Sequence, residues 1–384
     1  MTPTLFLELI ASVSLQAAIV VTATHWIGRL TDDERTQSRL WTGCYALLLM
    51  LVFAAAVLPH VRLFQTFRPL ARPLAAEIVS LELQVGRVLF FGWLIGCFVS
   101  FGLFIYRTIQ AEKFLRTCRP VDPDLISLGA VVSHEGHGAE PQINRHTVKL
   151  VSSPAITSPF CWQFHRPYIV IPDSLLTYEE DNLKFILRHE LAHLRTGHPI
   201  QVFLQRSVEI IFWFHPMVWW ASHESALARE FMCDDEAVET RSEIVAYLKT
   251  LLTIVEQNAV NEGPQVGSLA FVRNRNVMAE RARRLVHAAQ QPTTPGRSPL
   301  TQRLLSRAAP AMLVAATCIA SILWLPINVL ASPEARWSPW PEWTAHVLHD
   351  FGVQTRDFEV YDHRYALHEL FGDEPVQRES QPSP

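Results

Sequence analysis

His189-Glu190-Leu191-Ala192-His193 sets two imidazoles four residues apart. On a helix both project from one face and can bind one Zn²⁺. Glu190 lies beside them, where a carboxylate can accept a proton from an attacking water. Zinc lowers the pKa of a water it holds to about 7, which makes hydroxide available at neutral pH. A catalytic zinc also needs a third protein ligand and an open fourth position. The continuation His-x-x-Gly-x-x-His does not supply that ligand, because Gly197 and His198 stand at other offsets. Further on, Arg229-Glu230-Phe231-Met232-Cys233-Asp234 offers two carboxylates at i and i+4. Glu230 can be the third ligand. Asp234 can accept an N–H from a ligating histidine and so fix its tautomer.

The elements that must hold these groups are legible nearby. Thr177-Tyr178-Glu179-Glu180 fits a capping box at a helix start. The helix then runs through DNLKFILRHELAHLR to Gly197, with Pro199 beyond, the expected punctuation of a helix end. Upstream, Thr147 to Val151 and Pro167 to Pro172 read as short strands. An extended substrate could add a strand beside PYIVIP, over Tyr168, Ile169, Val170 and Ile171. Residues 201–221 are almost long enough to span a membrane. Arg206, Glu209 and the break at His215-Pro216 argue instead for a helix buried in, or dipping against, a membrane face. His134 and His137 lie in a polar loop and read as solvated.

Composition sets the frame. The 384 residues are 49% hydrophobic and 18% charged, with a formal net charge of −4. That excludes disorder and gives no footprint of direct nucleic-acid binding. The six cysteines form no CxxC pair, so neither a zinc ribbon nor a disulfide framework is readable. About 20 apolar residues cover the hydrocarbon core of a bilayer. Spans are expected at about 5–25, 41–58, 88–106 and 308–330. Arg107, Lys113, Arg116 and Arg119 follow the third, and Arg297, Arg303 and Arg307 precede the fourth. This bias places the segment between them in the cytoplasm. The expected organisation is a membrane region over 1–107, a cytoplasmic domain over 108–307, a fourth span over 308–330 and an external tail over 331–384. Trp337, Trp340 and Trp343 would anchor that tail at the interface, and its His363 and His368 are not expected to be ligands.

HELAHLRTGH, the aromatic block FWFHPMVWW, REFMCDDEAV and the upstream SPFCWQFHRPYIVIP together resemble the M56 peptidase family of BlaR1/MecR1-type membrane metalloproteases. SEIVAYLKTLLTIVE and AERARRLV are similar to that family as well. The resemblance implies a multi-pass α-helical membrane protein. Between spans 3 and 4 it would carry a mainly α (α+β) zincin-type, gluzincin, metalloprotease domain. It implies one Zn²⁺ per chain on His189, His193 and Glu230, with Glu190 as catalytic base and Asp234 behind a ligand histidine. It further implies an inner-membrane location, a peptide or protein substrate such as a BlaI-type winged-helix repressor, and room for a homodimer. The penicillin-binding sensor of β-lactam receptors is not expected, because none of the four lysines has a serine three positions before it.

A donor to the oxyanion is also required. His215, His223 and Arg229 are candidates, and the sequence does not choose among them. Three readings stand: a signalling metalloprotease, a quality-control protease resembling the M48 family, and a non-catalytic zinc scaffold. Intact Glu190 disfavours the last.

Overall fold

The computed structural model describes residues 3–62, 72–121, 148–163, 166–177, 180–238, 240–260, 275–290, 299–327 and 336–357. The loop with His134 and His137, and the tail histidines His363 and His368, lie outside them. The chain divides into two compact units. One comprises residues 24–45 and 99–311, the other 1–23, 46–98 and 312–384.

Three long helices open the chain: α1 (Pro3–Arg29), α2 (Glu34–Val57) and α3 (Arg72–Thr117). Then come β1 (Arg119–Pro120), β2 (Lys149–Ser153), β3 (Phe160–Gln163) and β4 (Pro167–Pro172), and a 3₁₀ turn over Asp173–Thr177. The helices α4 (Glu180–Arg195), α5 (His198–Ile211), α6 (Pro216–Ala237), α7 (Arg241–Val260) and α8 (Arg275–Gln290) follow. α9 (Pro299–Ile322) and α10 (Glu342–Asp350) end the described chain.

In the first unit the sheet order is β1-β2-β4-β3. β4 runs parallel to β2 and antiparallel to β3. Both edges of PYIVIP are therefore occupied, and a substrate cannot add a strand beside Tyr168, Ile169, Val170 and Ile171 as the sequence suggested. The edge strand on that side is β3, which packs on α4. Leu183, Ile186, Leu187, Leu191 and Leu194 form the buried stripe of α4, packed with Leu150, Ile169 and Ile171 of the sheet. The opposite face of α4 is left for its histidines. The expected capping box falls on side chains outside the described ones. Gly197 (φ 70°, ψ 25°) then turns the chain, a left-handed conformation that glycine adopts without steric cost, and Pro199 suits the first turn of α5.

This unit is larger than the 108–307 expected, because it also takes in the turn between α1 and α2. Buried Tyr45 lies 2.9 Å from Ser225, Oη to Oγ. Glu34 accepts from Arg284 at 3.2 Å, and Arg35 pairs with Glu236. Residues 201–221 form no single span: α5 stops at Ile211 and α6 starts at Pro216, with extended His215 between them.

In the other unit, α1 presents Glu8, Ser12 and Gln16 along one face, all buried. Trp324 Nε1 donates to Glu8 Oε1 at 2.6 Å, the Leu325 N–H donates to Ser12 Oγ at 2.9 Å, and Gln16 Nε2 donates to the Leu323 carbonyl at 3.0 Å. The last two bonds satisfy backbone groups freed where α9 ends. The fourth apolar helix accordingly stops at Ile322 rather than running to 330. Glu8 is thus an interior residue. The Trp324 ring stacks on His60 at 3.5 Å, and Trp343 Nε1 donates to the Ala56 carbonyl at 3.0 Å. Among the described residues four helices are long and apolar enough to cross a membrane: Leu5–Arg29, Glu34–Val57, Pro73–Thr117 and Leu300–Ile322. At 1.5 Å per residue the 46-residue α3 reaches ~69 Å, far more than a bilayer needs.

Candidate metal centre

α4 and α6 pack together and bring the HExxH face against the acidic pair. His189 Nε2 and His193 Nε2 lie 3.2 Å apart. The Glu230 carboxylate closes the triangle, with Oε2 3.4 Å from His189 Nε2 and Oε1 3.6 Å from His193 Nε2. Two imidazole nitrogens and one carboxylate oxygen converging in this way form a donor set suited to zinc. The side chains of Glu230 and His193 remain 22% and 13% exposed, so the cluster is open to solvent on one side.

Asp234, one turn beyond Glu230, is wholly buried, and its Oδ1 sits 3.2 Å from His189 Nδ1. Tyr247 of α7 donates its hydroxyl to the same Oδ1 at 2.7 Å. Arg281 of α8 brackets both acids, with Nε 3.0 Å from Asp234 Oδ2 and Nη1 2.9 Å from Glu230 Oε2. Neither Tyr247 nor Arg281 was singled out from sequence, although the segments holding them were recognised as family-like.

The two acids and the groups around them shift one another strongly. Burial pushes Glu230 and Asp234 up, but Arg281 and the histidines outweigh it. They hold Glu230 well below the usual carboxylate range and Asp234 at about 2. Burial and Arg281 both work against a proton on His189, yet Asp234 and Glu230 overcome them and raise it to about 9. His193 is driven down to about 3, chiefly by burial. Glu190 is lifted to about 7, first by burial and then by Glu230, in the range suited to a general base near neutral pH.

The remaining sequence candidates fall in different places. Arg229 is buried with Nη2 committed to Gln205 Oε1 at 2.8 Å, in a network that includes Ser225, Glu209 and Ser222. His215 occupies the N-cap position of α6, ~22 Å along the axis from Glu230 at 1.5 Å per residue, too far to reach a reacting carbonyl. His223 is two turns before Glu230 on the same face, ~10 Å away along the helix. One residue was passed over. His198 Nδ1 lies 2.8 Å from His193 Nδ1 and 3.5 Å from Cys233 Sγ. In the sequence its offset from His193 excludes it as a third ligand and points to no other role.

The family described as BlaR1 peptidase M56 matches residues 63–284, more than half of the chain. Regulatory protein BlaR1 of Bacillus licheniformis is 28% identical over 150 residues, 38% of this chain and 24% of that protein. The match therefore spans about a quarter of the relative's length.

Proposed function

The chain belongs to the M56 peptidase family, and from that premise we propose that it is a membrane zinc metalloendopeptidase. The observation that carries the reading is the convergence of His189 Nε2, His193 Nε2 and the Glu230 carboxylate on one point, with buried Glu190 next in the chain. These three residues would hold the zinc. When bound, the metal supplies a Lewis acid that polarises the scissile carbonyl and lowers the pKa of water.

The other steps fall to the protein. Glu190 accepts the proton of the attacking water and returns it to the leaving amine, which its raised pKa permits. Asp234 accepts the Nδ1–H of His189, so that Nε2 presents its lone pair. Arg281 and Tyr247 fix Asp234 in turn. An extended peptide adds to the open edge of β3, next to α4, with backbone hydrogen bonds supplying most of its affinity. The charge of Glu190 and Glu230 reaches Cys161 on this strand, which supports its closeness to the reacting groups. Of the three oxyanion candidates, His223 shares Glu230's face of α6 two turns away, and it is the one proposed as the donor.

The compact unit holding the site faces the cytoplasm of an inner-membrane, multi-pass protein, and the C-terminal tail lies outside. The function is signal transduction by cleavage of a cytosolic repressor of the winged-helix type, or of the chain itself. The word Regulatory in the relative's name supports this role over quality control. The test is peptide cleavage by the full chain in detergent. Glu190→Gln should keep its zinc and lose ~10²–10⁴-fold in turnover, the share usually carried by a positioned acid–base group. Unchanged cleavage in that variant would place the chemistry elsewhere.

A further inference from the structure

A histidine that binds a metal through Nε2 carries its proton on Nδ1, and that N–H needs an acceptor. For His189 the acceptor is the Asp234 carboxylate. For His193 no carboxylate takes this place among the described residues. Its Nδ1 meets Nδ1 of His198 at 2.8 Å. The left-handed turn at Gly197 folds the start of α5 back onto the last turn of α4 and delivers this ring. His198 is only 2% exposed. Its other nitrogen, Nε2, lies 3.4 Å from Ser38 Oγ, which is itself 3.4 Å from Gln201 Oε1.

We infer that His198 is a positioning residue for the metal: its unprotonated Nδ1 accepts the Nδ1–H of His193 and holds that ring with Nε2 toward Glu230. The inference rests on the zinc reading above and extends it to a residue outside the ligand set. Two hydrogen bonds cannot both be donated across the 2.8 Å contact, so one nitrogen must accept. If His193 donates, the proton of neutral His198 is on Nε2, facing the Ser38 hydroxyl. The two ligand histidines are then oriented differently, His189 by a buried anion and His193 by a neutral ring. An acceptor of any chemistry at position 198 should serve, whereas a side chain with no acceptor should not.

The experiment is zinc affinity of the full chain in detergent, measured by chelator competition, with the visible spectrum of the cobalt-substituted protein as a second readout. His198→Leu should weaken zinc about 10–100-fold, the usual effect of losing such a partner. His198→Asp and His198→Asn, which restore an acceptor oxygen, should recover most of that affinity and the wild-type cobalt spectrum. Wild-type affinity in His198→Leu would overturn the inference, as would Asp and Asn variants no better than Leu. If the Leu variant does not fold, ¹⁵N-histidine NMR of the zinc-loaded wild type decides. A proton on Nε2 of His198 supports the assignment, and one on its Nδ1 refutes it. A second zinc per chain, lost in Cys233→Ser, would make His193, His198 and Cys233 a metal centre of their own and also refute it. A wild type that binds no zinc takes down the parent reading as well, and so is distinguishable from failure at His198 alone.

Discussion

Arg281 grips Asp234 through two nitrogens, Nε at 3.0 Å from Oδ2 and Nη2 on Oδ1, in a place where the carboxylate has no solvent exposure. Its third nitrogen reaches Glu230 Oε2 at 2.9 Å. One guanidinium thus fixes both the acid that orients His189 and the acid that faces the two histidines. The fork geometry of arginine makes this arrangement possible, and the point charge of lysine does not reproduce it.

Replacing Arg281 strands a buried charge. Arg281→Met should cost about 3–5 kcal/mol of stability, the usual penalty for removing one partner of a buried pair. Arg281→Lys should recover only part of it. Thermal unfolding of the detergent-solubilised chain measures both. A Met variant as stable as the wild type would mean that Asp234 is not held as described.

The polar face of α1 makes a second prediction. Trp324→Phe keeps an aromatic ring to stack on His60 but removes the donor to Glu8. The loss should be about 1–3 kcal/mol, the cost of leaving a buried acceptor short of a partner. Adding Glu8→Leu to Trp324→Phe should return part of that stability, because the polar group is then gone. Additive losses in the double variant would show that the two side chains do not interact.

Orientation can be read with reporter fusions. A fusion after Arg119 should report cytoplasm and one at the C-terminus the exterior, the orientation proposed from the basic residues around spans 3 and 4. Both reporters on the same side would contradict the threading of the chain.

What the sequence revealed was what is local. His189 and His193 share a face because a helix repeats every 3.6 residues, and Glu230 and Asp234 do so for the same reason. The partners of these groups are distant in the chain. Tyr247 is 58 residues from His189, and Arg281 is 47 from Asp234. No periodicity connects such pairs. PYIVIP reads as a strand with room beside it for a substrate, yet β2 reaches it in parallel from before β3, a pairing that only the folded sheet reveals. His198 was weighed by its offset as a ligand. Its position follows instead from the positive φ of Gly197, which turns α5 back on α4. The end of α9 at Ile322, eight residues short of the apolar run, is likewise invisible to hydropathy, which does not register Ser12 and Gln16 bonding the chain beyond it.

The central claim is that His189, His193 and Glu230 hold a metal. Metal analysis of the purified full chain, beside a His193→Ala, Glu230→Ala double variant, tests it most directly. The account predicts one zinc per wild-type chain and close to none in the double variant, with Glu190→Gln still fully loaded. Full zinc occupancy in the double variant would contradict it.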